Sequence, residues 1–383
     1  MKKIAVYSLL VLLLFEFPFF FRELIYAKEQ EKNQFHEFQK PVNDGPYVFR
    51  KENQILVYFV LNDKKETTGY KLNMRGSHYI SREFTVNIQP FKKKYTIPTA
   101  PPTPEPEEHK KVDKIFVVSD IHGQFERFKT LLINNNVIDS NLRWRWGKGH
   151  LVILGDVFDR GPNVTETLWT IYQLEQQAKK KGGRVHYLLG NHEIMILKGD
   201  LRFVHPKYAY ISEKILETPI TVLYGTDSVL GQWLRTKQTM IRINDILFVH
   251  AGINPEILTK DLDISKINNT IRANLDTPMD SIKTDDLLYF LFYKNGPLWY
   301  RGFFPDEKDY QQLEEVEIQR ILDYFNVKHI IVGHTTQERI TPLFDQAILA
   351  VDSGLQYGDR GDALLWENEK FYKATVTGKP TEL

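Results

Sequence analysis

The chain contains no cysteine. That excludes disulfides, thiolate metal sites, a lipidated N-terminal cysteine and a cysteine nucleophile, while leaving the redox compartment open. Net charge is almost absent too: 50 Lys and Arg stand against 49 Asp and Glu, +1 overall. A balanced charge gives no reason to expect a nucleic-acid partner. No internal repeat is visible, so nothing points to a repeat architecture. A length of 383 residues allows one large domain or two smaller ones.

What is present is one device used repeatedly. Lys114-Ile-Phe-Val-Val-Ser-Asp120-Ile-His122-Gly123, His150-Leu-Val-Ile-Leu-Gly155-Asp156-Val-Phe-Asp159-Arg160-Gly161 and Arg184-Val-His-Tyr-Leu-Leu-Gly190-Asn191-His192-Glu193 each run apolar and stop at Asp, Asn or His beside Gly. Ile246-Leu-Phe-Val-His250-Ala-Gly252 and His329-Ile-Ile-Val-Gly333-His334-Thr335 do the same. Short runs rich in Val, Ile and Leu read as buried strands. Helical patterns between them predict a mostly parallel sheet, with ligands beyond the carboxyl ends of the strands. Phe125, Phe128, Leu131 and Leu132 predict an amphipathic helix over 124–134, and 163–180 reads as a second. Asp120, His122, Asp156, Asn191, His250 and His334 then converge. Read singly, such residues are equally ordinary turn and cap residues. Read together, they are a thiol-free oxygen and nitrogen set suited to two hard or borderline divalent cations. Two such ions need a bridging ligand, which a carboxylate can be.

In this order the motifs resemble the calcineurin-type metallophosphoesterases, within them the phosphoprotein phosphatase family, and most closely its bacterial Shewanella-like branch. The similarity spans roughly Val112 to Trp366. It implies an α/β fold, a four-layer β-sandwich flanked by helices, and a metal-dependent phosphomonoesterase acting on phosphoproteins or small phosphate esters. Hydroxide held by two divalent ions (Mn, Fe or Zn) would attack phosphorus directly. Asp120 and His122 would hold one ion, Asp156 would bridge, and Asn191, His250 and His334 would hold the other. His192 would be the general acid, oriented by Asp159. Arg160 would clamp the phosphate, and Arg301 in Gly296-Pro-Leu-Trp-Tyr-Arg301-Gly is the candidate second arginine. Glu193 reads as support for its loop. His36, His78, His109, His150, His186, His205 and His329 lack the glycine-flanked setting and read as ordinary. Two other functions fit the motifs: a dinucleoside polyphosphate hydrolase of the same fold, and an inactive binding module. The intact ligand set disfavours the module.

The flanks complete the reading. Residues 1–27 resemble an export signal: Lys2 and Lys3, an apolar Ile4 to Phe15, and Ile25-Tyr-Ala27 for cleavage. The expected location is therefore periplasmic or extracellular. An uncleaved membrane anchor through residues 4–21 is the rival, with Glu16 and Pro18 against it. Residues 28–97 read as a small antiparallel β-domain with Tyr58, Phe59 and Tyr79 in its core, and 98–110 as a proline-rich spacer. The catalytic domain is expected over 111–376. Insertions over 194–242 and 255–293 are expected to wall the substrate cleft. The runs at 347–352, 363–366 and 371–376 are expected to close a second sheet.

Overall fold

A computed structural model describes residues 42–51, 54–63, 66–75, 83–88, 93–305 and 307–383. The expected export segment, His36, His78 and Tyr79 lie outside the described residues. No helix among those described is long and apolar enough to cross a membrane.

The chain first forms an antiparallel meander, β1 (Asp44–Lys51), β2 (Gln54–Asp63) and β3 (Glu66–Arg75), then a hairpin, β4 (Glu83–Ile88) and β5 (Lys93–Pro98). β3 carries too few apolar residues for its pattern to mark it, and exposes Leu72. β5 takes the start of the stretch expected as spacer. These strands do not close a core of their own. Their buried residues, among them Tyr47, Phe49, Phe84, Tyr95 and Ile97, belong to one cluster with Leu168 and Trp169 of the later chain. Trp169 Nε1 donates to Pro46 O at 2.8 Å, Gln173 Nε2 donates to Thr96 O at 2.8 Å, and Lys207 pairs with buried Asp44. Nor is 98–110 only a spacer, because β6 (Glu108–His109) pairs parallel with Arg242 and Ile243.

The five ligand-bearing runs are strands. β7 (Lys114–Val118), β8 (His150–Ile153) and β9 (Arg184–Tyr187) are mutually parallel. After β10 (Met240–Ile243), β11 (Ile246–Val249) returns as an antiparallel hairpin, and β12 (His329–Val332) pairs parallel with β11. The remaining strands are β13 (Thr341–Leu343), β14 (Ile348–Ala350), β15 (Ala363–Glu367), β16 (Lys370–Ala374) and β17 (Thr381–Glu382). They build two six-stranded sheets, β17-β16-β15-β7-β8-β9 and β13-β14-β12-β11-β10-β6. One expectation is corrected here. Only β14 joins the second sheet; β15 pairs antiparallel with β7, because Leu364 and Trp366 share an apolar layer with Ile115 and Val117.

Alternation along each strand explains the layering. In β7, Ile115 and Val117 face the other sheet while Phe116 and Val118 face the helices. In β11, Ile246 and Phe248 face the other sheet while Leu247 and Val249 face the opposite helices. Strands buried on both faces need continuous apolar runs, which is how they read in the sequence. The helices α1 (Phe125–Asn134), α2 (Val164–Lys180) and α3 (Asn191–Lys198) follow β7, β8 and β9. The buried face of α1 is Phe125, Phe128, Leu131 and Leu132. The resulting order of helices, sheet, sheet and helices brings the carboxyl ends of β7, β8, β9, β11 and β12 together.

Candidate active site

Three of these strands, β7, β8 and β12, end in turns that an ordinary side chain adopts at a cost. Asp120, His122, Asp156, Asp159, Arg160 and His334 all have left-handed backbones, with φ between 45° and 69°. Such conformations persist only where surroundings impose them, and they gather at functional sites. Here the loops hold one another. His122 N donates to Asp156 O at 2.9 Å, Gly123 N to Val157 O at 3.0 Å, and Gly333 N to His250 O at 2.7 Å. Glycine is required at 190, where any Cβ would overlap Asp156 Oδ1.

Glu193 is the buried organiser of these turns. Its Oε2 accepts from Asp156 N (2.8 Å) and Gly190 N (2.7 Å), and its Oε1 from Val157 N (2.8 Å) and Tyr187 OH (2.7 Å). The Asp156 side chain is thereby aimed at the centre, where Oδ1 accepts from His192 N at 3.0 Å.

Around Asp156 Oδ2 lie three imidazole nitrogens: Nε2 of His250 at 3.4 Å, of His122 at 3.7 Å and of His192 at 3.9 Å. The far nitrogens fix the tautomers. His122 Nδ1–H donates to Phe158 O (2.7 Å) and His250 Nδ1–H to Leu154 O (2.7 Å), so their Nε2 lone pairs face inward. His250 Nε2 also lies 2.9 Å from Asn191 Oδ1. Lone pairs of nitrogen, carboxylate and amide converging in a buried space repel one another unless a proton or cation lies between them. His250 shows the strain: burial lowers its pKa, but Asp156 outweighs this and raises it to about 9. His334 Nε2 is buried with no hydrogen-bond partner. Asp120, with Ser119 Oγ and His334 N both donating to its Oδ2, is pushed to a high pKa by burial and then by Asp352. An orphaned nitrogen, buried like charges and inward lone pairs fit divalent cations. Asp156, His250 and His334, and Asp156, His122 and His192, each place donor atoms within 4.8 Å.

His192 stands beside this set. Its Nδ1–H donates to Asp159 Oδ2 at 2.6 Å, leaving Nε2 toward the centre. Arg160 is exposed next door, its guanidinium 5.5 Å from the centre of the Phe203 ring. Arg301 approaches from the opposite side and donates to Thr335 Oγ1 at 3.3 Å. Beside Arg301 opens a cavity of about 600 Å³, lined also by Lys198, Arg202, Phe292, Tyr293 and Trp299. Both insertions contribute to its lining. All ten candidate residues thus meet in one region, eight of them buried around Asp156 and the two arginines on its rim.

A family profile described as calcineurin-like phosphoesterase matches residues 113–338, more than half of the chain. The chain belongs to that family. Among sequence relatives, Shewanella-like protein phosphatase 1 of Plasmodium berghei (strain Anka) is 30% identical over 248 residues, 63% of this chain and 67% of that protein. The symmetrical bis(5'-nucleosyl)-tetraphosphatase of Wigglesworthia glossinidia brevipalpis is 26% identical over 297 residues, 67% of this chain and 97% of that protein. Among solved structures, the cold-active protein-tyrosine phosphatase of a psychrophilic Shewanella species is similar at a TM-score of 0.81 and 39% identity. The match covers 89% of this chain and 99% of that one, more than residues 111–383 alone supply, so it extends into the N-terminal strands.

Two contributors to this phosphoesterase site escaped the sequence reading. Asp352, buried beyond β14, accepts from Thr336 Oγ1 (2.5 Å) and Gly354 N (3.0 Å) and acts electrostatically on Asp120. The signal was available, since Ala347-Ile-Leu-Ala-Val-Asp352-Ser-Gly354 repeats the strand-end device. Phe203 had no signal. It is 42% exposed, its ring centre 5.4 Å from that of His192, and its carbonyl accepts from Arg160 N at 2.9 Å.

Proposed function

We propose that this metal-dependent phosphatase hydrolyses the phosphotyrosyl side chains of proteins. The observation that carries the reading is the half-exposed Phe203 ring, set against both His192 and Arg160. An aryl ester laid on that ring, in the offset or edge contact aromatic pairs prefer, puts its phosphoryl group among Arg160, His192 and the metal ligands. A phosphoseryl side chain offers no ring for this contact. The similarity to a protein-tyrosine phosphatase supports the same substrate.

Asp120, His122, Asp156, Asn191, His250 and His334 would hold two divalent cations, of manganese, iron or zinc. When bound, such cations polarise the phosphoryl group and lower the pKa of a water nucleophile. Arg160 matches two phosphoryl oxygens at once, and Arg301 adds charge from the far rim. His192 supplies a proton through Nε2 to the leaving oxygen. Burial lowers its pKa, but Asp156 and then Asp159 outweigh burial and raise it, which favours the protonated ring. Asp159 holds the ring in the donating orientation.

We also infer export, from the basic and then apolar residues 1–27. Cell fractionation with N-terminal sequencing of the mature protein tests it; a cytosolic product beginning at Met1 contradicts it. The substrate reading is tested on one panel: phosphotyrosine and phosphoserine peptides, mononucleotides and a dinucleoside tetraphosphate. It requires the highest kcat/KM on phosphotyrosine. Preference for the dinucleoside would transfer the chain to the activity named for its 26%-identical relatives.

A further inference from the structure

Three histidines form a second cluster away from the catalytic centre. His150 opens β8, whereas Asp156 follows the carboxyl end of that strand. His150 pairs with Arg184 and Val152 with His186, so the two histidines lie diagonally on one face of the first sheet. His109 comes from β6, the edge strand of the other sheet. The ring centres are 4.6 Å apart for His109 and His186, 4.9 Å for His150 and His186, and 5.3 Å for His109 and His150. One ring nitrogen from each lies within 4.8 Å of the other two. His186 Nε2 and His150 Nδ1 are 2.9 Å apart and share one hydrogen, while His109 Nε2–H donates to Pro106 O at 3.1 Å.

We propose that His109, His150 and His186 bind one borderline divalent transition cation, zinc foremost, which ties the two sheets together at the edge remote from the active site. Three imidazoles without a carboxylate suit zinc, copper or nickel and are poor for magnesium or calcium. Three histidines with one open position is an established zinc arrangement, with nitrogens about 2.0–2.1 Å from the ion. Burial holds all three rings below the usual histidine range, which favours their neutral form; neighbouring histidines add to it at His150 and His186, whereas the bond to Pro106 O opposes it at His109. Binding therefore displaces no imidazolium proton. Arg184 and Lys237 add positive charge to the surroundings and Glu105 opposes them. An ion held by charge alone is thus disfavoured, and one that gains from nitrogen coordination is favoured. His150 and His186 are buried, whereas His109 is partly exposed, so an ion enters past His109. The site needs no assumption about the reaction.

The test uses the full chain, stripped with a chelator, loaded with zinc, desalted and assayed by elemental analysis. His109→Gln and His186→Gln are carried through in parallel. Wild type is expected to hold one more zinc per chain than either variant, with affinity at the extra site falling more than about tenfold on loss of a ligand. Zinc should raise the wild-type unfolding temperature more than that of His109→Gln, with phosphatase activity equal in both. In an Asp156→Asn background, which weakens the catalytic sites, cobalt(II) should still give the visible absorption of a nitrogen-ligated ion, and adding His109→Gln should diminish it. Equal zinc in wild type and His109→Gln overturns the proposal and leaves a hydrogen-bonded ring cluster only. So does a cobalt-silent Asp156→Asn protein, which decides the matter even if a histidine variant fails to fold.

Discussion

Replacing Glu193 with glutamine changes one atom and should disturb both stability and metal binding. The side chain is fully buried; Oε2 already accepts two hydrogen bonds and Oε1 three, the third a longer one from Phe158 N at 3.4 Å. Three backbone N–H groups inside 2.9 Å stabilise the ionised form, against burial and next Asp156, which push its pKa upward. A glutamine amide must turn its NH₂ toward one pair of donors. Facing Asp156 N and Gly190 N, it would oppose two backbone N–H groups. Facing Val157 N and Tyr187 OH, it opposes one close N–H, that of Val157, and the longer contact from Phe158 N at 3.4 Å, since the hydroxyl can rotate and accept. The second orientation wins and strands the Val157 N–H. One unsatisfied buried donor costs about 1–3 kcal/mol, and losing the charge weakens the three bonds that remain. We expect roughly 3 kcal/mol of destabilisation in denaturant unfolding, a large part of the total for most proteins. The turn that aims Asp156 then loosens. Outer partners of this kind typically change metal affinity or activity by about 10–100-fold. Isothermal titration with manganese or zinc, together with kcat/KM on an aryl phosphate, reads that effect. A Glu193→Gln protein of unchanged stability and metal affinity would refute the argument that this carboxylate holds the turn.

Other outcomes follow from the same geometry. Asp156→Asn removes the carboxylate charge shared by three inward-facing imidazoles, so metal content should fall from about two per chain and turnover with it; both ions retained with normal turnover would show that Asp156 does not bridge. His192→Ala should lose about 10²–10⁴-fold in rate on phosphoserine-type esters and less on an activated aryl phosphate, with metal content intact; equal losses on both would assign His192 to binding. Phe203→Ala should lower the preference for phosphotyrosine over phosphoserine peptides roughly fivefold, the value of about 1 kcal/mol for an aromatic pair; an unchanged ratio removes Phe203 from recognition. Residues 111–383 alone should unfold well below the full chain, because loss of the N-terminal strands uncovers Trp169 and leaves Gln173 without Thr96; equal unfolding temperatures would make the N-terminal strands an independent unit.

The catalytic half was legible because its strands are buried on both faces. Continuous apolar runs stopping at Asp-x-His-Gly or Gly-Asn-His survive as words in the sequence, whatever folds around them. The face of α1 was legible for the same reason, a periodicity imposed by one wall of core. What failed to show was information carried by partners far away in sequence. β3 is polar along much of its length and exists by pairing with β2, so no local pattern marked it. β15 was assigned to the wrong sheet because its apolar run suits either layer; the side chains of β7 decide which. Phe203 lies in an irregular insertion, where its role depends on the Arg160 backbone reaching its carbonyl. His109, His150 and His186 looked ordinary because they come from three strands in two sheets and share no motif.

The account is tested most directly by stripping the protein of metal and measuring phosphotyrosine peptide hydrolysis, with elemental analysis on the same sample. Orphaned His334 Nε2 and the inward lone pairs of His122 and His250 predict no turnover in the stripped protein. They predict recovery when manganese is returned at about two equivalents per chain. Full turnover with no detectable metal would contradict the account at its centre.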